Sequence, residues 1–581
     1  MADLPLRYAP IHKHSSSKDR NRKVRSDVVP SCDVFLDNTK TVSHLSRAVE
    51  SDNKDNLLII KPKPGKNSAH WIEFKTKILK LAHTLRLHGW MDIPLEFAEE
   101  IEVEKVSGAL TNAVYVISLP NFLRTFPDHK CHPKKHFSGK VLLRIYGHQF
   151  NHLIDRENEL RILERLARKK IGPKMLGTFK NGRFEEYLNA ETLRAEDIRN
   201  MDTSKQIAKR MRELHDGVEL LEQERDDGPF VWRNWDKWAD RCEEIMKLLD
   251  DDVKRQKELG RSGNRKAKEF ICGVEWPQFK AAVEKYRKWL DDRCGKERIR
   301  QNLVFAHNDT QYGNILRLIP EDFEGSSQSP LLLPANTHKQ LVVIDFEYAS
   351  ANTPGLEFAN HFSEWCYNYH SPTRPWFCDT NKYPNLEEQT IFIESYVTHQ
   401  LQLDLGLPLN SDVNYFNRHC SDGLTIDKNR SDINTNFGSS AAHKENAEQK
   451  PTCGFEVEKK VNELLEETRI WRAANSCQWV AWGIIQAQVP ELLNTLTTRS
   501  SSVNIALAAE TDMVTLSTEK YVQEIGSTNE AEAAECEDGF DYLSYALDRA
   551  LFFWSDLLRL GIISKEELPS ELVERLKVVD N

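Results

Sequence analysis

Residues 304–314 read Val-Phe-Ala-His-Asn-Asp-Thr-Gln-Tyr-Gly-Asn, and residues 342–348 read Val-Val-Ile-Asp-Phe-Glu-Tyr. Each stretch opens with a β-type apolar run and delivers polar side chains at its end. Asp309 precedes Asn314 by five positions, and Asp345 follows 36 residues after Asp309. An amide oxygen (Asn314) and a carboxylate (Asp345) are hard donors of the kind magnesium prefers. Carried on adjacent strand ends, they fall near one ion, which leaves Asp309 to orient a hydroxyl and accept its proton. The plain alternative is that Asp309 and Asn314 cap a turn and Asp345 merely ends a strand.

The Asp-to-Asn spacing matches the catalytic loop of protein kinases, in which a later aspartate binds magnesium. Phosphoryl transfer from ATP, with Mg²⁺, is therefore the expected chemistry. An upstream half strengthens it. Residues 140–147 alternate, with Val141, Leu143 and Ile145 on one face and Arg144 on the other. Arg144 sits mid-strand, where kinases carry a phosphate-binding lysine. Residues 153–170 read as a helix stopped by Gly172-Pro173, and Glu157 lies in register with Leu153 and Leu160. A carboxylate on an apolar stripe needs a partner, and the Arg144 fork suits it; an exposed Glu157 at the stripe's edge is the alternative. Asn181-Gly182 signals a hairpin, after which Glu186, Tyr187 and Leu188 read as a hinge whose backbone bonds adenine.

The rest of the chain fits a two-lobed enzyme. Its 581 residues exceed one ordinary core. A formal net charge of −10 argues against nucleic-acid binding. No apolar run is long enough for membrane insertion, no secretory signal opens the chain, and the 11 cysteines suit neither zinc nor disulfides. A cytoplasmic, reduced protein is expected. Residues 1–70 read as a polar tail, 71–188 as a helical extension plus a small sheet, and 189–581 as mainly helical. Polar insertions are expected at about 410–450 and 497–538. The fold class is thus α+β, an antiparallel-sheet N-lobe on a large helical C-lobe, as in eukaryotic protein kinases.

The motifs in residues 305–316, 344–348 and 355–369, with 141–147, 171–177, 478–486 and 540–546, resemble the choline/ethanolamine kinase family. The likeness covers roughly 100–560 apart from the insertions, and the Trp71–Trp90 extension is similar to fungal members. It implies Asp309 as catalytic base, Asn314 and Asp345 as magnesium ligands, and a choline pocket at Gln311, Tyr348, Glu364, Tyr369, Trp479, Trp482 and Tyr545. It also implies a homodimer. Two departures stand out. The phosphate loop, with Ser107, Gly108 and Asn112, holds a single glycine, and Tyr312 stands where many relatives carry glutamate.

The residues themselves also point to a cationic acceptor. Trp479 and Trp482 share one helix face, and Trp365, Tyr367 and Tyr369 follow Glu364. A quaternary ammonium donates no hydrogen bond, so aromatic faces at ~0.5–2 kcal/mol each, with a carboxylate nearby, suit it. Tryptophans so spaced also serve as plain core. Ethanolamine in place of choline, an aminoglycoside-type acceptor, and an inactive pseudokinase scaffold are the other readings.

Overall fold

The computed structural model describes residues 29–38, 59–60, 69–106, 112–120, 139–146, 156–169, 171–259, 269–320, 331, 333–405, 453–487 and 540–579. Both expected insertions, together with Ser107 and Gly108, lie outside the described residues, as do the side chains of Asn112 and Glu157.

Seven strands make the N-lobe sheet: β1 (Ser31–Cys32), β2 (Ile59–Ile60), β3 (Glu102–Val106), β4 (Asn112–Ser118), β5 (Lys140–Tyr146), β6 (Met175–Phe179) and β7 (Gly182–Glu186). Their order is β1-β6-β7-β5-β4-β3-β2. All pairs are antiparallel except β1 with β6. Helix α1 (Ala69–Thr84) buries Trp71, Phe74, Ile78 and Leu81 against Tyr115, Leu143 and Phe184, so the extension supplies the lobe's core. On β5 the two-residue period sends Val141, Leu143 and Ile145 into that core, and Arg144 to the opposite face. The expectation of a tail across 1–70 needs correction at 29–38. Leu36 is buried there, and its backbone N–H and C=O bond the Asn181 amide at 2.9 and 3.0 Å. Val34 and Phe35 stay exposed, so the docking rests on the Leu36 side chain and the hairpin amide.

Gly182 opens β7 where the backbone of β5 passes close. A Cβ there would fall inside van der Waals contact of the Arg144 carbonyl oxygen and the Phe179 ring. Gly182→Ala should therefore lose about 1–3 kcal/mol of stability, read as a lowered unfolding midpoint.

Helix α2 (Arg156–Lys169) lies between β5 and β6, and beyond β8 (Ala190–Thr192) come the C-lobe helices α3 (Met201–Gly217), α4 (Phe230–Glu258), α5 (Trp276–Cys294), α6 (Pro354–Glu364), α7 (Leu386–Leu405), α8 (Cys453–Gln486) and α9 (Tyr542–Arg559). Short strands β9 (Val304–Ala306), β10 (Ile315–Leu318), β11 (Leu341–Val343) and β12 (Ser350–Asn352) form two small sheets, β11-β10-β8 and β12-β9. Helix α8 is buried nearly all round from Ile470 to Ile484, as expected of a helix at the centre of a bundle. Arg472 on α8 forks onto Asp556 of α9, both about 2% exposed. Gly483 brings α9 close, since a Cβ would meet the Tyr542 carbonyl at 3.0 Å. Among the described residues no helix is long and apolar enough to cross a membrane.

Asp250, near the end of α4, accepts from the Trp276 N–H at the start of α5 at 2.8 Å. Its other oxygen is buried without a partner. Burial pushes its pKa up to about 6, against that hydrogen bond. A folded-state pKa above the unfolded value means stability that is full below about pH 4 and lost as pH rises through 6. Asp250→Asn keeps the acceptor and removes the charge. It should unfold later than the wild type at pH 8, by about 1–3 kcal/mol, with the gap closing below pH 5.

Candidate active site

The antiparallel pair β10–β11 sets Ile315 opposite Val343, so Asn314 and Asp345 emerge at the same end of one ladder. The Ile344 N–H donates to the Asn314 carbonyl at 2.9 Å. Asp345 and Asn308 both take positive φ, 65° each, a region these side chains tolerate better than most. Asn314 Nδ2 donates to Asp309 Oδ2 at 2.7 Å and to its carbonyl at 3.0 Å. Asp309 and Asn314 are thus held as one unit, and the Asn314 amide oxygen is left to serve as a donor atom.

Buried groups fix this loop. His307 Nε2 donates to the Ile344 carbonyl at 2.9 Å, and Nδ1 accepts from the Asp309 N–H at 3.3 Å. Burial holds His307 below the usual histidine range, which keeps that neutral tautomer. Glu357, in the first turn of α6, accepts from the His307 and Asn308 N–H groups at 2.9 and 3.3 Å. Its other oxygen meets His215 Nε2 at 2.6 Å, and His215 Nδ1 lies 2.7 Å from the Tyr396 hydroxyl. None of Glu357, His215 and Tyr396 stood out in the sequence.

Across the lobes, Arg144 Nη1 reaches Asp345 Oδ1 at 3.2 Å, and its Nε lies 3.8 Å from Glu185. Glu185 also takes Arg183, which bonds Glu159 at 2.7 Å. Burial penalises the Arg144 charge, yet Asp345 and Glu185 outweigh it and hold its pKa above the ordinary arginine value. The Glu157 side chain, the expected partner of Arg144, lies outside the described residues; on the same helix the buried Glu159 pairs with Arg183.

Burial, then the carboxylates of Glu364, Asp345 and Glu347, pushes Asp309 well above the ordinary aspartate range. Carboxylates crowded in this way, with a hard amide oxygen beside them, are the donor set a magnesium ion fits.

Beside Asp309 an aromatic cluster collects most of the remaining candidates. Tyr348 packs on Trp479 (ring centroids 5.7 Å), Trp479 on Trp482 (5.5 Å) and Trp482 on Tyr545 (5.8 Å), all edge to face. The Trp482 indole donates to the Tyr348 hydroxyl at 2.9 Å. Trp479 donates to Asn360 and Asn475. Tyr367 and Tyr369 stack at 5.5 Å, and Tyr367 packs on Tyr545 at 5.5 Å. Glu364 is buried and doubly engaged, by Arg549 at 2.7 Å and by the Tyr369 hydroxyl at 2.7 Å. The Arg549 guanidinium lies 4.4 Å from the Tyr367 ring centre. Tyr312 stacks on Tyr369 at 6.0 Å and bonds His370 at 2.9 Å. Gln311 caps its own turn by accepting from the Gly313 N–H at 2.9 Å. At the hinge, Glu186 is exposed and accepts from the Lys174 N–H at 3.3 Å, Lys140 lies 5.0 Å over the Tyr187 ring, and Leu188 is half-buried.

The family model for choline/ethanolamine kinase matches residues 103–554, and one for the choline kinase N terminus matches residues 26–99. The chain belongs to the choline/ethanolamine kinase family. It is 30% identical to a choline kinase of Saccharomyces cerevisiae over 85% of this chain and 77% of that protein. A choline kinase of Schizosaccharomyces pombe is 29% identical over 84% of this chain and 90% of its own. An ethanolamine kinase of Saccharomyces cerevisiae is 27% identical over 85% and 78%.

As a choline/ethanolamine kinase the chain is an ATP-dependent phosphotransferase with an alcohol acceptor, on a two-lobed protein-kinase-like fold. Within that frame the residues that sequence reasoning missed are Arg549 beside Glu364, and Glu357 with His215 behind the loop. A lone arginine inside the buried face of α9 is the one signal that was available. It demands a partner as surely as a lone glutamate does.

Proposed function

We propose that this choline/ethanolamine kinase transfers the γ-phosphoryl group of ATP to the hydroxyl of choline. The observation that carries the reading is the Asp309–Asn314–Asp345 group lying beside an aromatic wall of Tyr348, Trp479, Trp482 and Tyr545. ATP would lie between the 71–188 and 189–581 lobes. Its adenine would meet the backbone at Glu186, Tyr187 and Leu188, and its phosphates the loop from Ser107 through Gly108 to Asn112. Arg144 would serve the phosphates too, with Glu157 assigned by likeness to the kinase helix glutamate. Asn314 and Asp345 would hold Mg²⁺, which when bound neutralises phosphate charge. Asp309 orients the choline hydroxyl and accepts its proton as the new oxygen–phosphorus bond forms. The bond from the γ-phosphorus to the bridging oxygen breaks, and ADP leaves.

Choline is favoured over ethanolamine by the state of Glu364. Both of its oxygens already accept, from Arg549 and Tyr369, which leaves ring faces as the main attraction for a cation. A trimethylated nitrogen needs only those faces, whereas a primary ammonium needs acceptors. In this reading Gln311 lines the mouth of the pocket. Comparing kcat/KM for the two alcohols should give choline an advantage of about tenfold or more, the worth of roughly one favourable ring. A preference for ethanolamine would overturn the assignment. By likeness to the family the chain is also proposed to be cytoplasmic and a homodimer, the latter checked by light scattering of the purified chain, which should read twice the chain mass.

A further inference from the structure

Outside the group of nucleotide residues, three side chains from separate segments converge. Glu213 lies on α3, His338 in the turn Pro334–Gln340, and His399 on α7. Glu213 Oε1 lies 3.0 Å from His338 Nε2 and 3.3 Å from His399 Nε2, and the three ligand atoms all lie within 4.8 Å of one another. Both imidazoles are buried, at 2% and 1% exposure. We propose that Glu213, His338 and His399 form a second metal site, distinct from the nucleotide-bound magnesium and suited to Zn²⁺.

Two imidazoles and one carboxylate are a recurrent zinc donor set, with a fourth position left to water. Bonds of about 2.0–2.2 Å to a tetrahedral ion place neighbouring donor atoms about 3.3–3.5 Å apart, close to the two Glu213–histidine separations of 3.0 and 3.3 Å.

The placement gives the ion structural leverage. The turn carrying His338 runs straight into β11, whose far end delivers Asp345. Two residues after Glu213, His215 braces Glu357 behind the catalytic loop. On α7, Tyr396 contacts that same His215 three residues before His399. An ion here would pin α3, α7 and the strand bearing Asp345 to one point.

Full-length chain stripped with chelator, then dialysed against excess Mg²⁺ with equimolar Zn²⁺, should retain about one zinc per chain by elemental analysis. Co²⁺ in its place should give the visible absorption of a tetrahedral site. Glu213→Gln keeps a carbonyl that accepts from both imidazole N–H groups but is a poor zinc ligand, so it separates the metal from a hydrogen-bonded cluster. That variant should bind at least about tenfold more weakly, and His399→Ala likewise. If His399→Ala fails to fold, Glu213→Gln decides. Zinc content and cobalt spectrum equal in the wild type and Glu213→Gln would overturn the site.

Discussion

Asp309→Asn should lower kcat by about 10²–10⁴-fold, the usual worth of a positioned general base, while leaving ATP binding nearly unchanged. The substitution preserves shape, and the new amide oxygen still accepts from Asn314 Nδ2. The aspartate carboxylate is crowded by Glu364, Asp345 and Glu347, so removing its charge should not lower the unfolding temperature. Activity and stability therefore separate in this variant. Steady-state kinetics beside a thermal melt would show it, and unchanged kcat would mean the base has been misassigned.

Arg549→Leu has the largest expected effect on stability. Arg549 and Glu364 are 1% and 2% exposed and meet at 2.7 Å. Deleting the guanidinium strands a buried carboxylate, and losing one partner of such a pair costs about 3–5 kcal/mol. Tyr545 also loses the Nε–H that reaches its hydroxyl at 3.1 Å, so the aromatic wall loosens. Urea unfolding should show an earlier midpoint, with a raised KM for choline in whatever folds. The double variant Arg549→Leu/Glu364→Gln should recover part of the loss, because no charge is then stranded. A single variant as stable as the wild type would show that the pair contributes little.

The sequence was most readable where period and punctuation coincide. Alternation in β5 placed Arg144 opposite the core, and Asn181-Gly182 marked the hairpin, with Phe179 paired to Gly182. The strand ends bearing Asn314 and Asp345 were legible because each follows a short apolar run, and the contact of Arg144 with Asp345 places them at the lobe interface. On the helix at residues 156–169 the buried described residues are Glu159, Ile162 and Leu166, whereas the stripe read through Leu153 and Glu157 falls on side chains outside the described residues. Partners brought together by tertiary folding leave no local trace. The docking of Leu36 on Asn181, the Arg549–Glu364 pair and the Glu357 brace each span 50 or more positions, and nothing in spacing announces them. The aromatic cluster lay between these cases, since helical spacing placed Trp479 and Trp482 on one face but only the fold shows what that face meets.

Product analysis by phosphorus NMR tests the central claim most directly, with purified chain, Mg-ATP and choline in the tube. Phosphocholine and ADP should appear in equal amounts with the wild type, and both should vanish with Asp309→Asn or without Mg²⁺. ADP released without phosphocholine, or phosphocholine made at an undiminished rate by Asp309→Asn, would contradict the account.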